Sequence, residues 1–579
     1  MVPARLDAGT LMDEADGVKL VELRVLDGPN LYFTRPAIKL TLAVTPWLGL
    51  TEDRAQRLTR RAGFHAVNHP GVAQSEQRRR YVARFTVHLT RALADATGTH
   101  LAIRGRPGPE PDQVVVAFPW RRQAAAEAFA RELAPMLERS LDARRSVARA
   151  TADVARRLDR VDAGPAPTVL RPTVPVISVT GTNGKTTTVR LIAHLARAAG
   201  RSVAYTTTDG VYRDAQLVEA GDYSGFGGAA RALAQPGIEL AVLETARGGI
   251  LLRGIGTESN DVAVVTNVTA DHLDQHGIRT LDQLAEVKAT ITRITRPDGW
   301  DVLNADDARV LGMRRQAAGR PWLFSLDPDH PALRQALAEG GRAMSILDRG
   351  LIVMTSRRQV HQLLPVEEVP VTLAGISSHN LSNAMAAAAA ALAVGIPEDA
   401  VIEGLRTFVL DPERNPGRAN VFELDGRVVV IDYAHNEDGL RGLVEICHGL
   451  RPAGGRVFLS FGCAGDRTNA ILHRLGYTAA RGADRVAIAE LHRYLRGRDP
   501  QELIQRLQAG IVDGGKPESP VFPNEVEALE WMVRESAAND VLAITALGQR
   551  PEIFAYLRDR GASTAGAERI RALVKRARD

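Results

Sequence analysis

The chain has 579 residues, several times what one hydrophobic core organises, so about three domains are expected. Its hydrophobic (45%) and charged (24%) fractions are those of a globular enzyme, and no apolar run reaches the roughly 18 residues that would span a bilayer, so no membrane anchor is expected. A net charge of +5 with basic and acidic residues interspersed speaks against nucleic acid, while two cysteines and an N-terminus without a secretory pattern point to the cytoplasm.

Residues 21–26 and 113–118 read as strands and 81–97 and 121–137 as helices, which together predict a small N-terminal α+β domain over 1–161. A charged helical stretch, 137–161, leads into a proline-rich linker at 162–175. From 176 to 412, apolar runs at 176–180, 240–243 and 262–266 alternate with Ala-rich helical stretches. Beyond Pro416 and Gly417 the pattern resumes at 428–431, 457–461 and 541–545, giving a third domain over 413–579. Such runs predict buried parallel strands with crossover helices, and chemistry at the strands' carboxyl ends.

Residues 176–188, VISVTGTNGKTTT, form a strand, a glycine loop and the start of a helix reaching about Ala199. Backbone amides of such a loop (Gly181, Thr182, Asn183, Gly184) cradle polyphosphate; Lys185 reaches its outer phosphates and the Thr186 hydroxyl binds Mg²⁺. Val179 stands where the general nucleotide loop has a glycine, so this is not the usual version; a glycine turn with an incidental lysine is the alternative. Lysine is scarce, however: only positions 19, 39, 185, 288, 516 and 575 carry it, which makes Lys185 and Lys288 informative. Glu244 ends a strand where a carboxylate either holds Mg²⁺ or caps a helix. His272 and His276 have the i, i+4 spacing of a zinc pair but no third ligand nearby, and Lys288 reads as either a site residue or an exposed helix lysine.

GTNGKTTT at 181–188 is followed by TTTDGVY (206–212), ETARGGILLR (244–253), NVTADHLDQHG (267–277), LAEVK (284–288), the stretch 375–383 containing Ser-His-Asn, NPGRAN (415–420) and DYAHN (432–436). In this order the motifs resemble the Mur ligase family, above all the Mur-ligase-like half of cyanophycin synthetases, over residues 173–579; LDGPN at 26–30 is similar to the start of those synthetases' N-terminal domain. The resemblance implies a P-loop parallel-sheet ATPase domain, a C-terminal Rossmann-like domain and a small N-terminal α+β domain. It also implies ATP and Mg²⁺ as cofactors.

Residue by residue, it implies that 181–187, including Thr187, hold the phosphates and that Glu244 and His272 ligate Mg²⁺, joined by Lys288 if carbamylated. Asn304, His379, Asn380 and Asn383 would contact the nucleotide, Arg418 the γ-phosphate and Asp432 the ribose; Lys185, His272, Lys288 and Arg418 form the catalytic set. The implied reaction is ATP-dependent, ADP-forming amide ligation through an acyl phosphate, on amino acid or peptide substrates such as a basic amino acid added to an acidic peptide. About 170 residues precede the loop, too few for a further ATP-grasp domain, so a single type of ligation is expected, with the N-terminal domain holding the acceptor. Two departures fall where the family recognises the amine: Glu437 follows His435-Asn436 in place of proline, and Thr468-Asn469 follows Gly465-Asp466-Arg467. Two other readings stay open, a folylpolyglutamate or poly-γ-glutamate ligase and a non-catalytic partner subunit; the oligomeric state, homo-oligomer included, is also open.

Overall fold

The structure, a computed structural model, describes residues 17–65, 69–271, 273–356 and 359–579. These divide into two compact units, one of the described residues up to Val169 with Ile250–Glu258, the other of Leu170–Gly249 with Ser259–Asp579.

In the first unit, β1 (Lys19–Leu26), β2 (Ala37–Ala43), β3 (Arg104–Pro107) and β4 (Gln113–Pro119) form an antiparallel sheet in the order β1-β2-β4-β3. Ile38, Leu40 and Leu42 on β2 and Val114, Val116 and Phe118 on β4 recur at the strand period of two, and all are buried against helices. The helical expectation over 121–137 divides into Gln123–Arg131 and Leu133–Arg139. Pro135 supplies the reason, since its ring would clash with the carbonyl of Arg131 in a continuous helix. The charged stretch at 137–161 is not one helix either: a new helix, Val147–Leu158, starts where Ser146 Oγ accepts from Arg149 N. The unit also takes in a segment that sequence periodicity assigned elsewhere. Asp27 N donates to Arg253 O (2.8 Å) and Ile255 N to Pro29 O (2.7 Å), so 26–30 forms a seam with 253–255.

The second unit holds two sheets among the described residues. The first runs through β5 (Val176–Thr180), β6 (Val203–Thr206), β7 (Gly210–Arg213), β8 (Gln216–Ala220), β9 (Leu240–Glu244), β10 (Asn260–Val265), β11 (Thr295–Asn304), β12 (Arg320–Phe324), β13 (Arg342–Leu347), β14 (Gly350–Ser356) and β15 (Gln359–Pro365), in the order β15-β14-β13-β12-β11-β10-β5-β9-β6-β7-β8. From β13 to β6 the pairings are parallel, as expected, but each edge carries an antiparallel hairpin. The buried Ala-rich helix Ser378–Ala393 and the helix Lys185–Ala198 pack together over it.

The second sheet comprises β16 (Asn420–Leu424), β17 (Arg427–Asp432), β18 (Val457–Phe461), β19 (Arg485–Ala489), β20 (Val521–Phe522), β21 (Val541–Thr545) and β22 (Ser563–Thr564), in the order β20-β19-β18-β21-β17-β16-β22, antiparallel only at β16 and β22. No helix among the described residues is long and apolar enough to cross a membrane.

Candidate active site

β5 lies between β9 and β10 at the middle of the larger sheet, so its carboxyl end opens beside theirs. The loop after β5 ends in Gly184, which caps the helix Lys185–Ala198 with φ +86; a Cβ there would stand 2.2 Å from Asn383 Oδ1. Both the left-handed backbone and the approach of Asn383 therefore require glycine. The loop is tied on every side. Lys185 Nζ donates to Thr182 O (2.8 Å), Lys288 Nζ to Gly181 O (2.5 Å) and Thr266 Oγ1 to Asn183 O (2.6 Å). Asn267 Oδ1 accepts from the amides of Thr182 (3.1 Å) and Asn183 (2.8 Å).

With those two amides engaged, the helix-start amides around Lys185 and Thr186, which lack intrahelical partners, are the donors left to face an anion. This narrows the expectation that the whole loop cradles phosphate through its backbone. Thr187 is buried in the first turn.

Glu244, at the end of β9, accepts from Thr186 Oγ1 at 2.9 Å, while its buried Oε1 has no hydrogen-bond partner among the described residues. Burial pushes the Glu244 carboxyl up and the Lys185 ammonium down, each partly offset by the other's charge. A hydroxyl beside an unpartnered buried carboxylate oxygen is a donor set that suits a hard divalent cation. Lys288 closes the helix Leu281–Lys288 and is buried. Burial first, then the charge of Lys185, drives its amine well below the ordinary lysine range.

Arg418 and Asp432 also come to this region. The Arg418 guanidinium lies 4.6 Å from the Tyr433 ring centroid, and its charge offsets the burial of Glu244 and of Asp432, whose carboxyl burial pushes up. Asp432 accepts from Ala419 N at 2.8 Å. Asn380 and Asn383 bond one another (3.1 Å) beside Gly184. Asn304 is held apart from them, donating to Thr266 O (2.8 Å) and accepting from Asp306 N (2.9 Å). His272 lies outside the described residues.

Sequence reasoning did not select Asn267, Asp271, His435, Asn436, Asp438 or Arg467, yet these bind the site together. Asp271 pairs with Arg467 (2.9 Å) and His435 (3.2 Å), and Asn436 exchanges amide hydrogen bonds with Asn183 (2.9 and 3.1 Å). Their signal was position: Asn267 and Asp271 follow β10, His435, Asn436 and Asp438 follow β17, and Arg467 follows β18. The two departures have local roles: Thr468 caps the helix Asn469–Gly482, and Glu437 opens the helix Glu437–Leu450 and pairs with Arg474.

Known proteins place this arrangement. Residues 179–391 match the Mur ligase middle domain and 417–548 the Mur ligase, glutamate ligase domain. A cyanophycin synthetase of Synechocystis sp. is 37% identical over 371 residues, 64% of this chain and 41% of that protein. The UDP-N-acetylmuramoyl-L-alanyl-D-glutamate–2,6-diaminopimelate ligase of Gloeobacter violaceus is 30% identical over 379 residues, 64% of this chain and 71% of that ligase. A bifunctional folylpolyglutamate synthase/dihydrofolate synthase, solved with Mn, AMPPNP and L-glutamate bound, shares the fold with TM-score 0.50 at 19% identity, covering 67% of this chain and 91% of that one. The chain belongs to the Mur ligase family, a class of ATP-dependent ligases that form amide bonds. It spans about two-fifths (41%) of the length of the cyanophycin synthetases it matches.

Proposed function

We propose that this protein is an ATP-dependent acid–amino-acid ligase that forms ADP, phosphate and an amide bond. The convergence of Lys185, Thr186, Glu244 and Lys288 on the loop after β5 carries the reading. A substrate carboxylate oxygen attacks the γ-phosphorus of ATP and ADP leaves, giving an acyl phosphate; the lone pair of an amine then attacks the acyl carbon, and phosphate departs as the amine loses a proton. Lys185 and Arg418 face the charge that gathers on the transferring phosphoryl group. Thr186 and Glu244, with His272 and a carbamylated Lys288, would hold Mg²⁺, which when bound neutralises phosphate charge. Asn304, Asn380 and Asn383 orient the base and Asp432 the ribose. Asn436 bonds Asn183 of the loop and His435 bonds Asp271 after β10, holding the segment after β17 where it would exclude water from the reactive acyl phosphate.

The likeness to cyanophycin synthetases supports an amino acid or peptide pair as substrates, in particular a basic amino acid joined to an acidic peptide, with the first unit recognising the acceptor. Two free cysteines, both buried, suit a reducing cytoplasm.

The test is release of ADP and phosphate by purified protein with Mg²⁺ across pools of amino acids and acidic dipeptides, beside Lys185→Ala. Turnover that requires both an acid and an amine, and falls at least about 100-fold in the variant, is the expected result. ATP binding with no turnover in any pool would instead favour a partner-subunit role, and folate-dependent turnover a folylpolyglutamate-type ligase.

A further inference from the structure

Around Asn183 three segments meet that are far apart in sequence. The amide pair with Asn436 is completed by a carboxylate: Asp438 Oδ2 accepts both from Asn183 Nδ2 (3.0 Å) and from His379 Nε2 (3.1 Å), while Oδ1 accepts from Arg441 Nη2 (2.7 Å). One oxygen thus bridges the phosphate loop and the first turn of the helix Ser378–Ala393, and it does so from the first turn of the helix Glu437–Leu450. The helices are built to meet there. Gly442, one turn on from Asp438, leaves room for the imidazole, since a Cβ would stand 2.5 Å from His379 Nδ1. A turn before the end of that helix, Glu445 Oε2 accepts from Ser378 Oγ at 2.7 Å.

We infer that Asp438 is a positioning residue, a latch that fastens the segment after β17 to the phosphate loop through Asn183 and His379. The inference rests on the reading that residues 181–187 hold the nucleotide. Three observations make the latch more than a surface contact. The Asp438 side chain is only 15% exposed, both bonds to its Oδ2 come from groups on two other elements, and Gly442 leaves open the space beside His379 that a Cβ would fill.

The latch is charge-assisted. The Asp438 hydrogen bond, against burial, holds the imidazole above the ordinary histidine range, aided by the charges of Asp438, Glu445 and Asp432. Against burial, which would raise it, the bonds from His379, Arg441 and Asn183 hold Asp438 well below the usual carboxylate range. The charged groups acting on His379 are therefore Asp438 and Glu445 on the helix Glu437–Leu450 and Asp432 at the end of β17, with Arg441 held on the other oxygen of Asp438, while the loop contributes the neutral Asn183. Because the folded-state pKa of His379 is raised, its ion pair is present at lower pH and is lost as pH rises through that value, leaving the weaker neutral hydrogen bond.

Hydrogen exchange of the full chain, corrected for intrinsic rates, tests this at about pH 6 and about pH 9. In the wild type, peptides covering 181–187 and 436–442 should be about fivefold better protected at the lower pH. Asp438→Asn and Asp438→Ala should lose that protection and its pH dependence, Asp438→Glu should regain part of both, and the strand Gln113–Pro119 should not change. Wild-type protection in Asp438→Asn would overturn the inference, and so would an equal loss in Gln113–Pro119, which would make Asp438 a general stabiliser. Adding AMPPNP with Mg²⁺ separates the two proposals: failure to protect 181–187 would sink the nucleotide reading while the latch result stood on its own.

Discussion

A lysine with no carboxylate within hydrogen-bond reach is seldom tolerated in a protein interior, and among the described residues Lys288 has none: it is buried, bonded to the carbonyl of Gly181, and within the field of Lys185. Burial and the neighbouring cation shift its amine toward the neutral form, and only the neutral amine adds carbon dioxide. We therefore expect intact-mass and peptide analysis to find one carbon dioxide on Lys288. Stripping carbon dioxide should depress turnover, and bicarbonate should restore it. Lys288→Arg keeps an N–H donor against Gly181 but cannot be carbamylated, so it should lose about 100-fold or more in turnover, in keeping with the several kcal/mol a metal-bound charge supplies. Full activity in carbon-dioxide-free buffer would remove the carbamate. Lys288 stood out in the sequence because lysine is rare here. Asn267 did not, because an asparagine after a strand reads equally as a turn residue, and only the folded loop shows its side chain holding the amides of Thr182 and Asn183.

Strands buried on both faces were the most legible elements: β5, β9, β10, β18 and β21 are continuous apolar runs that differ from the sequence reading by at most two residues at an end. The edge hairpins were not legible, since β8 and β15 are largely exposed and lack a continuous apolar run, and β7 is only four residues long. The helix expected at 81–97 begins a turn earlier, at Glu76, because Ser75 Oγ accepts from Arg78 N there. That extra turn contains a residue whose environment the sequence conceals. An arginine in a charged run reads as surface, but Arg78 is fully buried, donating to the carbonyls of Pro70, Trp47, Leu50 and Gly71. It pins the chain on both sides of the helix Glu52–Arg61 to the long helix Glu76–Ala96. Arg78→Met preserves much of the volume and strands those carbonyls, so it should destabilise the first unit by about 3 kcal/mol or more. Hydrogen exchange should report the change as faster opening of β2 and β4, with the strands of the larger sheet unaffected; unchanged exchange in β2 and β4 would show that water satisfies the carbonyls.

At the scale of the whole molecule, two groups, the buried Asp301 and the partly buried His194, make opposing contributions to how stability responds to pH. Asp301, on β11, is pushed up to about 7 by burial, despite hydrogen bonds from Thr295 Oγ1 and Gly319 N. Its folded-state pKa exceeds the ordinary 3.8, so the folded chain keeps a proton that the unfolded chain has released. This contribution is complete below about 4 and is lost as pH rises to about 7, a span of up to about 4 kcal/mol. His194, in the helix Lys185–Ala198, behaves in the opposite way. Burial, with the charges of Arg197 and Arg414, pushes it down to about 4 from the ordinary 6.5, so the unfolded chain takes up a proton that the folded chain refuses, and stability is lost as pH falls from 6.5 to about 4. Between those limits the two slopes oppose each other, and the wild type should show little net pH dependence from this pair. Replacing either one should unmask the other. Urea midpoints for Asp301→Asn should fall on acidification, those for His194→Gln should fall as pH is raised toward 7, and the double variant should again be nearly flat. If Asp301→Asn instead follows the wild-type profile, the Asp301 carboxyl is already ionised in the fold and contributes no such slope.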